Sequence, residues 1–374
     1  MGEAILLVGD SESDQNLYYR THFLAGDPFV YLEYDGHSEV IVSSMEAGRA
    51  RKQASVSQVK TFEDYGYRDL VKQLDSRSKA FSALLGRAVE GTGADSLVVE
   101  STFPVLFADH LRSDGHELDV DEQLFQKERR QKSAEEIEAI AESQDAAQRA
   151  TAHAIELIAA TDIRDGALYL NDEQLTMERL RAEVEVFLTR LGFDPANPIT
   201  AGGPGAADPH WMGYGPLMAG ESIVLDIFPR SKRTRYWGDI TRTVVRGKPN
   251  PGLVEMYGTT LQAQQAAFSQ IRAGANGKDV HNATQQVFDE AGFGGESEGP
   301  RFIHSTGHGV GLGIHEAPGL GMIDNELLPG DVVTVEPGLY DPAIGAVRIE
   351  DTVVVTEDGF RNLTTLEKRF ELTS

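Results

Sequence analysis

The sequence predicts a mixed α/β (α+β) chain of two domains, a smaller one over residues 1–128 and a larger one over 129–374. Three observations carry that expectation. The length, 374 residues, suits two domains of ordinary size. A charged stretch, Glu128-Arg129-Arg130-Gln131-Lys132, separates a region of scattered strand and helix signals from a capped helix start. Beyond that stretch the chain repeats its own order of elements, with acids at matching places.

The first domain opens with an apolar run, Ala4 to Val8, ended by Gly9-Asp10. Phe29–Glu33 and Glu39–Ser43 flank Tyr34-Asp35-Gly36-His37, a strong hairpin turn because Asp-Gly tolerates left-handed backbone. Asp69 to Val89 reads as one helix, and Leu97 to Val99 as the centre of a short buried strand. The histidines of this region, His22, His37, His110 and His116, are scattered and form no catalytic cluster.

The second domain opens with Ser133-x-x-Glu136, a capping box in which each side chain takes one free backbone N–H. Ile137, Ile140, Ala141, Ala147, Ala150, Ala154 and Leu157 put an apolar stripe on the helix that follows. A helix carrying Leu180, Val184, Phe187, Leu188 and Leu191 ends at Gly192-Phe193. Another, carrying Val280 and Val287, ends at Gly292-Phe293. After each comes a glycine-rich segment with histidine, Gly202-Gly203-Pro204-Gly205 to His210 and Gly307-His308-Gly309 to His315. After each of those come two strand-like runs bearing acids. Asp226 and Glu336 are 110 residues apart, and Asp239 and Glu350 are 111 apart. Two pseudo-symmetric halves with acids meeting at their seam are expected.

Composition narrows the function. Apolar residues are 40% and charged residues 25%, which is globular rather than disordered. The absence of cysteine removes disulfides, thiolate metal sites and a cysteine nucleophile, and fits a reducing, cytoplasmic setting. A net charge of −25 repels nucleic acid and anionic membrane, so neither is expected as a partner. No apolar run is long enough to span a bilayer, and Met1–Asp10 lacks the basic start of a signal peptide and the Ser or Thr of a myristoylation site.

The acids Asp226, Asp239, Glu336 and Glu350 all sit in β-rich apolar surroundings, where a carboxylate is costly unless paired, protonated or bound to metal. His304-Ser-Thr-Gly-His308-Gly-Val-Gly-Leu-Gly-Ile-His315-Glu316 supplies nitrogen. Its glycines argue against a helix and for backbone that closely approaches something. Four carboxylates and an imidazole make a hard, oxygen-rich site, favouring Mn, Co, Fe or Zn over Cu(I). Four negative charges balance two divalent cations, the arrangement of a binuclear hydrolase. Rival motifs fail: there is no dinucleotide fingerprint after a strand and no Walker A lysine. Gly295-Glu296-Ser297-Glu298-Gly299 follows a helix end rather than a strand, so it reads as an acidic surface loop rather than a nucleophile elbow.

Asp226, Gly-Asp239-Ile-Thr-Arg-Thr, His304-x-x-Gly-His308-Gly-x-Gly, Val-Glu336-Pro-Gly and Arg348-Ile-Glu350-Asp occur in that order. The pattern, over residues 132–374, resembles the creatinase/aminopeptidase family of binuclear metallopeptidases, whose catalytic domain is called the pita-bread fold. The first domain resembles the creatinase/prolidase-type N-terminal domain. The resemblance implies that Asp239 and Glu350 bridge two divalent ions, Mn first with Co or Zn as alternatives. Asp226 would complete one ion's shell, and His308 and Glu336 the other's. Glu336 would also take the proton of a metal-bridging hydroxide's parent water and pass it to the leaving nitrogen. His315 would bond the scissile carbonyl, His210 would contact the substrate backbone, and His304 and Arg348 would fix the ligands. It also implies a homodimer and a small peptide substrate cut at Xaa-Pro bonds. Xaa-Pro dipeptidase (prolidase) is the first reading and aminopeptidase P the alternative. A non-peptide amide or ester hydrolase and an inactive binding protein on the same scaffold stand behind these.

Two departures from the family pattern stand out. The run from Asp226 to Asp239 is longer than the family habit, and its extra length carries Arg230, Lys232 and Arg233. An exposed hairpin is one reading; a basic loop that borders the cleft and attracts a substrate carboxylate is the other. Many prolidases also carry an arginine just past the His-Glu pair, where this chain has His315-Glu316-Ala317-Pro318-Gly319.

Overall fold

A computed structural model describes residues 2–293 and 299–372. The run at 295–299 therefore lies, but for its last glycine, outside the described residues. Packing divides the chain into Met1–Arg129 and Arg130–Ser374. Among the described residues no helix is long and apolar enough to cross a membrane.

The first unit is a six-stranded mixed sheet. Its strands lie in the order Gln58–Thr61, His37–Val42, Phe29–Tyr34, Glu3–Gly9, Ser96–Glu100 and Glu117–Asp121. The expected hairpin pairs Tyr34 with His37, and Asp35 and Gly36 between them have φ of 49° and 72°. Burying both faces of the central strands needs helices on each side. Leu84, Leu85, Ala88 and Val89 cover one face and Leu17, Ala47 and Ala50 the other. The helix expected over 69–89 is two helices, Tyr67–Leu74 and Arg77–Glu90. Asp75 is left-handed (φ 44°), and the Ser76 hydroxyl accepts from the Lys79 N–H, so a new helix is capped where apolar periodicity suggested continuity.

The second unit is mixed α/β and repeats one plan. In the first half the helices Ala134–Ala159 and Met177–Arg190 cover the antiparallel pair Ser222–Ile227 and Ile240–Arg246. In the second half the helices Pro251–Gln270 and Gly277–Glu290 pack with Val332–Val335 and Asp351–Thr356. The capping box at Ser133 and Glu136 forms as read. Asp226 pairs with Thr241, and Val335 with Asp351, so Asp239, Glu336 and Glu350 stand at the ends of their strands. The halves are stitched there. The Glu350 N–H donates to the Thr241 carbonyl, and the Thr243 hydroxyl both donates to the Arg348 carbonyl and accepts from its N–H.

The stitching relies on buried polar side chains that point at backbone. Gln144 accepts from the Asp239 N–H at 2.7 Å and donates to the Asp239 carbonyl at 2.9 Å. In the second half Gln264, on the corresponding helix, donates to the carbonyls of Val335 and Ile349. Arg242, fully buried, donates to the Glu350 and Leu366 carbonyls and to the Asp351 carboxylate, which also receives Lys368. For Gln144 to reach Asp239 its helix must lie against the chain at Gly238, where a Cβ would stand 2.5 Å from the Ser143 backbone. Gly238→Ala should therefore lose about 1–3 kcal/mol in urea unfolding, because the obstacle is backbone and cannot rotate away. A loss under about 0.5 kcal/mol would mean that this approach is not needed.

Candidate metal centre

One cavity of about 590 Å³ within the second unit is lined by Asp226, Asp239, Glu336, Glu350, His210, His304, His308, His315 and Arg348, with Ile199, Phe228, Ile303 and Ile314. Each side chain arrives from a different stretch. Asp226 comes from the next-to-last residue of its strand, and Asp239 and Glu350 each from the residue before a strand. Glu336 follows the strand Val332–Val335, and His308 lies in the short strand Gly307–Gly309. The glycine-rich segment is thus strand and bend rather than helix.

The four acids crowd together. The Thr241 hydroxyl stands between Asp226 and Glu350, 3.1 and 2.8 Å from their oxygens, and accepts from Arg348 Nε. Ligand atoms of Asp239, His308 and Glu350 all lie within 4.8 Å of one another. Burial, then the charges of Glu350, Asp226 and Glu336, pushes the Asp239 carboxyl well above the ordinary carboxylate range. Burial, then Glu336 and Asp226, does the same to Glu350, and burial also raises Glu336. One guanidinium, Arg348, faces four carboxylates in this lining. It is already committed, with Nη2 on Asp226, Nη1 on the Tyr340 hydroxyl and Nε on Thr241.

The histidines show what is missing from the charge balance. His308 Nδ1 lies 3.1 Å from the Gly309 carbonyl, which can only accept, so Nδ1 carries the proton. Burial lowers the pKa of His308 and keeps the ring neutral. Its Nε2 lone pair then faces Glu336 Oε1 at 3.3 Å and Asp239 Oδ2 at 3.7 Å. One imidazole nitrogen and two carboxylate oxygens converge there, and that set of ligand atoms fits divalent cations. His304 is fixed differently: Nδ1 donates to the Ser305 carbonyl, so Nε2 accepts from the Tyr340 hydroxyl, which in turn accepts from Arg348. Burial pushes the Tyr340 phenol up to about 12. His315 stacks edge-on against His308, with centroids 4.3 Å apart, and burial and then His308 lower its pKa. His210 is exposed on the cavity wall.

The basic loop is paired within the chain. Arg230 donates to Asp194 and lies over the Trp237 ring, Arg233 donates to Glu142, and Lys232 is exposed. None of the three is among the cavity's lining residues. The added length builds a small hairpin whose arginines answer acids of this chain. Sequence reasoning missed Gln144, Gln264, Thr241, Tyr340 and Thr334, whose hydroxyl accepts from the His308 N–H and donates to Glu336. Gln144 and Gln264 had a signal, a polar residue on an otherwise apolar helix stripe.

Comparison with known proteins adds the family. The profile of metallopeptidase family M24 matches residues 138–357. An Xaa-Pro dipeptidase of Pyrococcus horikoshii is 33% identical over 282 residues, 74% of this chain and 75% of that protein. One of Pyrococcus furiosus is 38% identical over 227 residues, 58% of this chain, and the match spans 63% of that protein's length, short of two thirds. A solved Xaa-Pro dipeptidase from Bacillus anthracis superposes with a TM-score of 0.82 at 27% identity, covering 99% of this chain and 94% of that one.

The raised carboxyls set a pH dependence. With no cation bound, the folded cluster keeps protons that the unfolded chain releases above about pH 4, so stability falls as pH rises through that window. A bound cation displaces those protons and removes the loss. The melting temperature of metal-loaded protein should therefore exceed that of chelated protein by a gap that widens between about pH 5 and pH 8. Calorimetry at fixed metal concentration checks this, and a constant or narrowing gap would contradict it.

Proposed function

The chain belongs to metallopeptidase family M24, and from that premise we propose that it is an exopeptidase hydrolysing Xaa-Pro bonds in small peptides, first of all as an Xaa-Pro dipeptidase. The observation that carries the reading is the convergence of His308 Nε2, Asp239 and Glu336 on one point of a cavity that His315 and His210 also line. The proline substrate is supported by the names of the relatives. The same reading carries manganese as the ion, which the oxygen-rich donor set supports. It also carries a homodimer in the cytoplasm and a prolidase-type role for residues 1–128, which the family resemblance supports.

In this proposal Asp226, Asp239, His308, Glu336 and Glu350 hold two divalent ions, which supply Lewis-acid polarisation of a carbonyl and acidify a water near neutral pH. The chain's own groups do the rest. Glu336 lines the cavity beside His308 and would take the proton released by the attacking water, holding it for the leaving group. The nitrogen of an Xaa-Pro bond carries no hydrogen and must gain one to leave as an amine, and Glu336 is the group placed to give it. His315, neutral because its pKa is lowered, donates an N–H to the carbonyl oxygen as charge develops there. His210, which also lines the cavity, would bond the peptide backbone. Tyr340 and Arg348 keep His304 and Asp226 in place.

One observation favours the second reading, aminopeptidase P action on longer peptides. A dipeptide's carboxylate next to the reacting bond needs a cation, and among the described residues the lining's one lysine or arginine is Arg348, whose nitrogens already bond Asp226, Tyr340 and Thr241. Hydrolysis of Ala-Pro and Ala-Pro-Ala by chelated and then Mn-reconstituted protein separates the two. Activity restored by metal and lowered about 10²–10⁴-fold in Glu336→Gln supports the mechanism. Cleavage of the tripeptide alone selects aminopeptidase P, and cleavage of neither by fully loaded protein overturns the Xaa-Pro substrate.

A further inference from the structure

His315 sits at the end of a segment, 311–315, that carries no regular structure, yet its ring must hold one direction to serve a carbonyl. Three contacts fix that segment. Trp237 donates from its backbone N–H to the Gly311 carbonyl and from its indole to the Leu312 carbonyl, each at 3.0 Å. The Glu316 carboxylate folds back and accepts from the Gly313 N–H at 3.1 Å. It lies against Gly311, where a Cβ would stand 2.2 Å from Glu316 Oε1, so only glycine leaves it room. The third contact is Lys132, whose ammonium pairs with Glu316 Oε1 at 2.8 Å. The Lys132 side chain is 1% exposed and that of Glu316 10%.

A lysine and a glutamate taken this far from water gain little net stability over apolar residues of the same size. They do gain direction. Glu316 is covalently next to His315, and its two oxygens join the segment's backbone to a charge on a separate stretch of chain. That stretch is itself anchored, because Arg130 donates to both oxygens of the buried Asp331 and to the Glu326 carbonyl. Lys132 is not among the residues that line the cavity.

We propose that Lys132 is a positioning residue for catalysis: through its ion pair with Glu316 it holds the 311–316 segment so that the His315 imidazole points into the metal cavity. The inference rests on the role given to His315 above. Removing the ammonium takes the paired charge from a buried carboxylate, which turns toward water and takes His315 with it. Misplacement of this kind lowers kcat more than it raises KM, because the carbonyl contact strengthens in the transition state.

The test compares Zn-loaded wild type, K132M, E316Q, H315A and K132M/H315A in two readouts. The first is kcat and KM on the cleaved Xaa-Pro peptide. The second is the imidazole spectrum of histidine-labelled protein, which needs no turnover. K132M should lower kcat about 10–100-fold, with a smaller change in KM. The double variant should be no slower than H315A alone, since both remove the same contact. The His315 resonances should move in K132M and in E316Q, while those of His304 stay. Effects that multiply in the double variant, or an unmoved His315 spectrum, would overturn the proposal. If H315A alone keeps full kcat, the role of His315 fails, and the spectrum still decides whether Lys132 holds its ring. E316Q keeps the shape that packs on Gly311, so it serves if K132M does not fold.

Discussion

Asp226, Asp239, Glu336 and Glu350 repel one another, and much of the second unit is arranged to hold them together. Two unit charges about 4 Å apart interact by roughly 4 kcal/mol at the effective dielectric of a protein site. Several such pairs meet here with one guanidinium among them. The opposing forces are distributed. The two hairpins are joined at the seam by backbone bonds, and Gln144 and Gln264 grip main chain beside the acids rather than the acids themselves. The carboxylates therefore remain available as ligands while their positions are fixed by neighbours. Arg242 and Asp351 form the buried brace beneath them.

The same arrangement divides the histidines by role. His308 and His304 each donate from Nδ1 to a carbonyl of the next residue, which fixes their tautomers. His308 then turns a bare nitrogen on the acids, while His304 turns one on Tyr340. His315 packs edge-on against His308 and is followed by Glu316, whose carboxylate ties the segment to Gly313 and Lys132. The three rings thus differ in what the backbone around each allows.

Much of this was legible in the sequence, for physical reasons that can be named. Asp35-Gly36 announced a hairpin because few residue pairs accept two positive φ values. Ser133 and Glu136 announced a helix start because the capping box is local. The 110- and 111-residue spacings of the acids were visible because the two halves repeat one order of elements. What stayed hidden is what depends on distant contact. The break at Asp75-Ser76 interrupts an otherwise good helical pattern. Arg230 and Arg233 looked like a cleft-side basic loop because Asp194 and Glu142, which receive them, are far away in sequence. Lys132 and Glu316 are 184 residues apart and carry no pattern that joins them.

The claim on which the rest stands is that the seam holds two cations. The most direct measurement is the number of Mn²⁺ ions bound per chain, counted by the loss of free-ion electron paramagnetic resonance signal as chelated protein is titrated near neutral pH. The account predicts two ions per chain in the wild type and a loss of that binding in Asp239→Ala. Binding of a single ion, of none, or of two ions that the Asp239→Ala change leaves in place would contradict it.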